Sequence, residues 1–343
     1  MSHQSLLSTL RSPRTAAPLL TALVSAAAAT GAMAQSNVTI SGTIDAAMYR
    51  GFDGIAISKG TQVGSLQRSD LTFSGKEDLG GGLATTFRLS TRFEPDTGAT
   101  EQSNKPFWYG ESTVGLKGGF GHVRIGRAMD AVTANDWAYD PWENFDRLAS
   151  PAWQFWHYNY AVDRRGNAGS AEYFRLNNGV FYDSPTYGGV SVSVNTSFEK
   201  STAAGAGQAT PYGLALKYGT GGFKTTFSSG RNADGDTVKF LGLKQAFGDF
   251  TVMGAYDVST YRGSVSNSTA RSATLGATWQ LNPVLLQASI GRMSVDGDHS
   301  QMVSLGGRYP LSKRTYLYSS VSRFKMYQKD GATGFGAGVN HSF

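Results

Sequence analysis

From Asn37 onward the chain alternates apolar and polar residues with a period of two. Val38, Ile40, Ile44 and Met48 interleave with Thr39, Ser41, Thr43 and Asp45. Leu83, Phe87, Leu89 and Phe93 interleave with Ala84, Thr86, Arg88, Ser90 and Arg92. The same holds for Val190 to Glu199 and for Tyr212 to Tyr218. Side chains of a strand point alternately to its two faces, so each stretch predicts a β-strand with one oily and one wet side. Short turn signals punctuate them at Gly80–Gly82, Gly118–Gly121, Pro185–Gly189, Gly219–Gly222, Phe247–Asp249, Leu281–Pro283 and Pro310–Lys313. Longer polar stretches fall between, at Phe52–Gly64, Asp96–Pro106, Thr202–Thr210 and Tyr261–Ala270. Tight turns at one end and long loops at the other are the asymmetry of a barrel set in an outer membrane.

The polar faces carry full charges in mid-strand, such as Arg88, Arg92 and Lys217, which suits a wet lumen better than a packed core. Tyr212 and Tyr218 bracket Leu214 and Leu216, as interfacial aromatics bracket an apolar band. A soluble β-sandwich is the competing reading. The chain ends in an alternating strand up to Phe343, and in lipid such a last strand must close against the first, because an open edge cannot be hydrated there. At about ten residues per strand the length accommodates sixteen strands or eighteen.

Before Asn37 the chain has another character. Arg11 and Arg14 precede an apolar, Ala-rich run that ends in Ala32-Met33-Ala34. This predicts a secretory signal peptide over residues 1–34, cleaved before Gln35, and a single domain over 35–343. Without Arg11 and Arg14 the remaining chain has 29 basic and 25 acidic residues, a charge of +4. With no basic run, a nucleic-acid partner is not expected. The 343 residues contain no Cys, which excludes disulfides and thiolate chemistry. They contain 43 Gly, well above the usual ~7%, in no collagen-like period.

Several segments resemble the Gram-negative porin family of β-proteobacterial type. Lys76-Glu77-Asp78-Leu79-Gly80-Gly81-Gly82-Leu83 is similar to a family turn, and Val114-Gly115-Leu116 through Ile125-Gly126-Arg127 to its strand 4–turn–strand 5 segment. Arg175 through Pro185 resembles the strand after the constriction loop, and Tyr309 through Tyr318 is the most specific match. The resemblance implies an all-β, transmembrane antiparallel barrel of sixteen strands, with loop 3 folded into the lumen. It further implies a homotrimer surrounded by outer-membrane lipid and lipopolysaccharide. Phe343 resembles the terminal signal read by the β-barrel assembly machinery. Passive diffusion of small hydrophilic solutes and ions is the implied function, with a substrate-selective channel for small aromatic or carboxylate solutes as the alternative. On strand 2, Ser69-Asp70-Leu71-Thr72-Phe73 departs from the family pattern, which commonly has Arg in this run; Arg68 lies two residues before Asp70, on the same face by parity. Glu111 follows Gly110 where Arg before Gln is common.

Between Arg127 and Arg175 alternation lapses for longer than an ordinary connection, and residues 128–170 are read as loop 3. Asp130, Asp136, Asp140, Glu143 and Asp146 supply its acidic side. Trp137, Trp142, Trp153 and Trp156, four of the six Trp, join Tyr139, Phe145, Phe155, Tyr158 and Tyr160 there. These rings either pack the loop against the wall or form a slide for a preferred solute. Opposite are expected Arg68, Arg88, Arg92, Arg124 and Arg175, with Arg127 inward only if its strand ends first. Arginines cannot lose their protons, so facing the loop carboxylates they would set a transverse field across the pore. With the +4 charge, this predicts modest anion preference, weakened by Asp70 and Glu111.

Nothing suggests catalysis. No nucleophile elbow, phosphate loop or His-Glu-x-x-His pair occurs, and the five His (His3, His122, His157, His299, His341) are scattered. A barrel hydrolase would need Ser, His and carboxylate to converge, which no spacing indicates. Asn232-Ala-Asp234-Gly-Asp236 and Asp296-Gly-Asp298 lack the further ligands of a calcium loop and read as hairpin turns. Neither a cofactor nor a metal is expected.

Overall fold

The computed structural model describes residues 37–52, 60–101, 106–160, 174–200, 209–263 and 265–343. The leader expected over 1–34 lies outside them, as do residues 161–170 of the expected loop 3. The strands are β1 (Asn37–Arg50), β2 in two pieces (Thr61–Gly64 and Ser69–Gly80), β3 (Leu83–Phe93), β4 (Glu111–Gly118) and β5 (Gly121–Met129). Then follow β6 (Arg175–Asp183), β7 (Val190–Ser197), β8 (Tyr212–Thr220), β9 (Phe223–Arg231), β10 (Thr237–Phe247) and β11 (Phe250–Arg262). The last are β12 (Asn267–Leu281), β13 (Val284–Val295), β14 (Asp298–Pro310), β15 (Thr315–Lys325) and β16 (Ala332–Ser342). Both pieces of β2 pair with β1, so the barrel has sixteen staves.

Each strand pairs antiparallel with the next, and β16 closes on β1 from Thr43↔Ser342 to Arg50↔Phe335. Closure satisfies the edge that lipid cannot hydrate. The faces are the reverse of those of a soluble protein. On β14, Val303 and Leu305 are 52% and 58% exposed, while Ser304 between them is 1% exposed. Apolar side chains that show this much surface on every other position have lipid as their solvent. No described helix is long and apolar enough to cross a membrane.

The seven short turns fall at one end, between β2 and β3, β4 and β5, and so on to β14 and β15. Two expected long loops shrink. Thr61–Gly64, at the end of the Phe52–Gly64 stretch, is the first piece of β2. Tyr261–Ala270 is mostly strand, because Arg262 pairs with Asn267 and the ladder continues below it. At the other end, Asn232 Oδ1 accepts from the backbone N–H of Asp234 and Asp236, making the expected turn. Asp296 and Gly297, both at positive φ, turn β13 into β14.

Candidate functional site

Loop 3 starts at Asp130, two residues later than expected, because Ala128 and Met129 still pair with β6. It holds short 3-10 turns at Thr133–Asn135 and Trp137–Tyr139 and a one-turn helix, α1 (Pro151–Phe155). Ser150 caps α1, its Oγ accepting from Trp153 N at 3.1 Å. The segment bonds to side chains on the polar face of distant strands. Ala131 N donates to Asn195 of β7 (2.6 Å), and Tyr139 Oη meets Thr226 Oγ1 of β9 (2.7 Å). Trp156 Nε1 donates to Thr274 of β12 (3.3 Å), and Gln287 Nε2 of β13 donates to Pro141 O (2.5 Å). Small residues on the wall make room. A Cβ on Gly242 would lie 2.3 Å from the Tyr139 ring, and one on Gly276 2.4 Å from Pro141.

His157 forms the tightest of these attachments. Its Nδ1 lies 2.5 Å from Asp257 Oδ2 of β11, its Nε2 lies 2.8 Å from Asp136 Oδ2, and its backbone N donates to Asp257 Oδ1 at 2.9 Å. All three side chains are buried, and the imidazole sits edge-on to Phe174 and Phe240. Burial alone would strip its proton, but the two carboxylates, Asp257 foremost, outweigh burial and raise the pKa to about 10. Burial also lifts Asp136 to about 6 despite its bond to His157, and the neighbouring carboxylates of Asp130 and Asp257 add to the rise. Sequence reading left His157 among the scattered histidines, since its partner is 100 residues away.

The expected acidic side of the loop is mostly internal to it. Asp130 caps Thr133 N and accepts from Tyr160 Oη, and Asp136 holds His157. Asp140 accepts from Trp142 N, Asn144 N and Ser150 Oγ, and burial pushes it up to about 7. Asp146 accepts from Leu148 N, Ala149 N and Gln67 Nε2. All four are at most 2% exposed: N–H groups of a loop with little regular structure consume Asp130, Asp140 and Asp146, and His157 holds Asp136. Glu143 alone is exposed. Of the Trp residues, Trp142 and Trp156 are buried, while Trp137 and Trp153 keep partial exposure.

The arginines split into two groups. Arg68, Arg92, Arg127 and Arg175 are 8% exposed or less. Arg68 reaches the loop by a different route from the one parity predicts: the chain leaves β2 at 65–68, and Arg68 takes φ 73°. Its guanidinium stacks on Phe145 and Trp153, at 5.2 and 4.8 Å. Arg127 follows Gly126, whose φ of 128° and register shift break parity there. Arg127 and Arg175 both stack on Tyr109 and donate to Tyr109 O and Gly110 O, respectively. Arg92 pairs with Glu101 at 3.7 Å. Arg147, which sequence reading passed over, binds Glu94 (2.8 Å) and Glu101 (2.6 Å), tying loop 3 to the loop after β3.

The second group faces open lumen and forms a ladder across seven strands. Thr72 donates to Asp70 (3.3 Å), and Arg88 Nη2 donates to Thr72 (3.3 Å). Arg88 Nε pairs with Glu111 at 3.3 Å. Arg124 bridges Glu111 and Asp183, both at 2.9 Å. Ser193 donates to Asp183 (2.6 Å) and accepts from Lys217 Nζ (2.9 Å). Three acids and three bases alternate, so the ladder is neutral overall. Asp183 ends its strand, and no sequence spacing marks it as a partner of Arg124.

A closed barrel with apolar outer and charged inner faces, lined by such a ladder, is a transmembrane channel. The chain belongs to the Gram-negative porin family, whose model matches residues 20–328. It is 28% identical to outer membrane porin protein 32 of Delftia acidovorans, over 92% of this chain and 90% of that protein. Its fold matches an anion-selective porin from Comamonas acidovorans with a TM-score of 0.77 at 22% identity, covering 90% of this chain and all of that one. It also matches the trimer form of OmpT, an outer membrane protein of Vibrio cholerae, with a TM-score of 0.65 at 12% identity, over 90% and 99% of the two chains. The chain is thus an outer-membrane porin, a channel and not an enzyme.

Proposed function

We propose that the channel passes small hydrophilic solutes and ions by diffusion with a preference for anions, and that loop 3 forms its constriction. One observation carries the preference. Beyond the neutral ladder, the turn-side inner-face positions bear Lys76, Lys117, Lys224, Lys244 and Arg308, against Asp78 at the end of β2 and Glu143 on loop 3. Fixed cations in a narrow, poorly screened passage enrich anions and exclude cations. The five cations flank the short turns, so the preference belongs to the turn-side half of the lumen and not to the arginines 68, 92, 127 and 175. The anion-selective porin of the same fold is consistent with this reading.

We further propose a homotrimer, on the analogy of the trimeric neighbour, with lipid and lipopolysaccharide around its outer faces and Phe343 read by the assembly machinery. The test is a reversal potential in a planar bilayer across a tenfold KCl gradient. Anion preference is expected for the wild type and a weaker one for Lys224→Gln/Lys244→Gln, which removes two of the five cations. Cation preference in the wild type would overturn the reading.

A further inference from the structure

Beneath loop 3, on the turn side, lies a cavity of about 540 Å³, a size typical of small-molecule sites. Its two sides differ in chemistry. Loop 3 contributes Ala134, Trp137, Ala138 and Tyr139; the wall contributes Lys217 and Lys224. Tyr139 has its hydroxyl committed to Thr226, so its ring is fixed. Lys217 is steadied by Ser193. Gly219 lies directly opposite Lys224 across the β8–β9 pair and leaves space above the amine.

The wall side is also charged against itself. Lys224 of β9 and Lys244 of β10 are directly opposed in register, on the inner face. Opposed residues hold their Cβ atoms about 4.5–5.5 Å apart, and like charges there are destabilising. No carboxylate forms an ion pair with either amine among the described residues, and Glu143 acts on Lys244 only through space. A mobile anion would relieve this repulsion.

We propose that this cavity is a binding site for small aromatic carboxylates of benzoate size, the carboxylate lying between Lys217 and Lys224 and the ring against Trp137 and Tyr139. The inference deepens the anion-preferring reading and rests on it. An inorganic anion would satisfy the amines but leave the aromatic and alanine side unfilled. A neutral aromatic amide would fill that side but leave Lys224 uncompensated. Occupancy by an aromatic carboxylate would make transport of this class saturable while chloride still diffuses.

The test is inhibition of chloride conductance in planar bilayers by benzoate, benzamide and inorganic phosphate. Wild type, Lys224→Gln and Trp137→Leu are compared, with folding checked by heat-resistant migration of the oligomer. Benzoate should inhibit saturably, benzamide should not, and phosphate should act only at much higher concentration. Each substitution should raise the half-inhibition concentration of benzoate roughly five- to tenfold, the scale of one partly exposed charge contact or one ring contact. Equal inhibition by benzamide or phosphate, or an unchanged half-inhibition concentration in Lys224→Gln, would overturn the proposal. The reversal potential of the same membranes separates the two readings. Cation preference would defeat the anion reading itself, whereas anion preference without saturable benzoate inhibition would defeat only this site.

Discussion

The attachment of loop 3 through His157 can be broken at one point. Asp257→Asn removes one carboxylate from a buried imidazolium held by two, leaving the backbone bond to His157 N available. Raising an imidazole from 6.5 to about 10 corresponds to about 5 kcal/mol of preference for its charged form in this setting. Removing one partner of a buried pair typically costs about 3–5 kcal/mol. Loop opening should therefore become more frequent by on the order of a thousandfold in Asp257→Asn. The barrel, closed by strand pairing alone, should keep its content of sheet. Hydrogen exchange of the backbone amides of Trp156–Tyr160, together with single-channel current noise, would measure the change. The imidazole's folded pKa exceeds its unfolded value, so its contribution is complete below pH 6.5 and is lost as pH climbs through about 10. Wild type taken to pH 11 should then reproduce the variant. Unchanged exchange and unchanged noise in Asp257→Asn would refute the role given to this pair.

Other outcomes follow from the same geometry. Arg88→Ala should raise single-channel conductance and weaken anion preference slightly, since Arg88 is half exposed. Arg92→Ala should leave selectivity nearly unchanged and lower thermal stability by about 1–3 kcal/mol, because it strips a buried partner from Glu101. Gly276→Val should push Pro141 into the lumen and reduce conductance, measured on the folded oligomer in bilayers. Burial lifts Asp140 from 3.8 to about 7, so its ionised form costs stability above that pH, and the cost falls away as pH drops from about 7 toward 3.8. Asp140→Asn should flatten that part of the loop's pH–stability profile, followed by tryptophan fluorescence.

The strands, the seven turns and the closure of β16 on β1 were legible because period-two alternation survives wherever one face meets lipid. The charged site was only half legible. Arg88, Arg124, Asp70 and Glu111 lie on uninterrupted strand, where parity assigns the face correctly. Arg68 and Arg127 lie at a strand break and at a glycine bulge, where parity has no meaning, and each finds an aromatic ring instead. The loop carboxylates were misplaced for a different reason. A segment without strands or long helices has many unpaired N–H groups, and Asp130, Asp140 and Asp146 satisfy them before they can face water. Lys224 and Lys244 were not singled out from the sequence, because their opposition depends on register, which composition and spacing do not supply.

The ladder from Asp70 to Lys217 also bears on how such a lumen diverges between related channels. Because Arg124 is shared by Glu111 and Asp183, and Ser193 by Asp183 and Lys217, altering one rung releases its neighbours to find new contacts. Substitutions there should combine non-additively in double-mutant cycles. Permeability would then drift through concerted exchanges of adjoining residues, and inherited combinations should outnumber isolated replacements along this row.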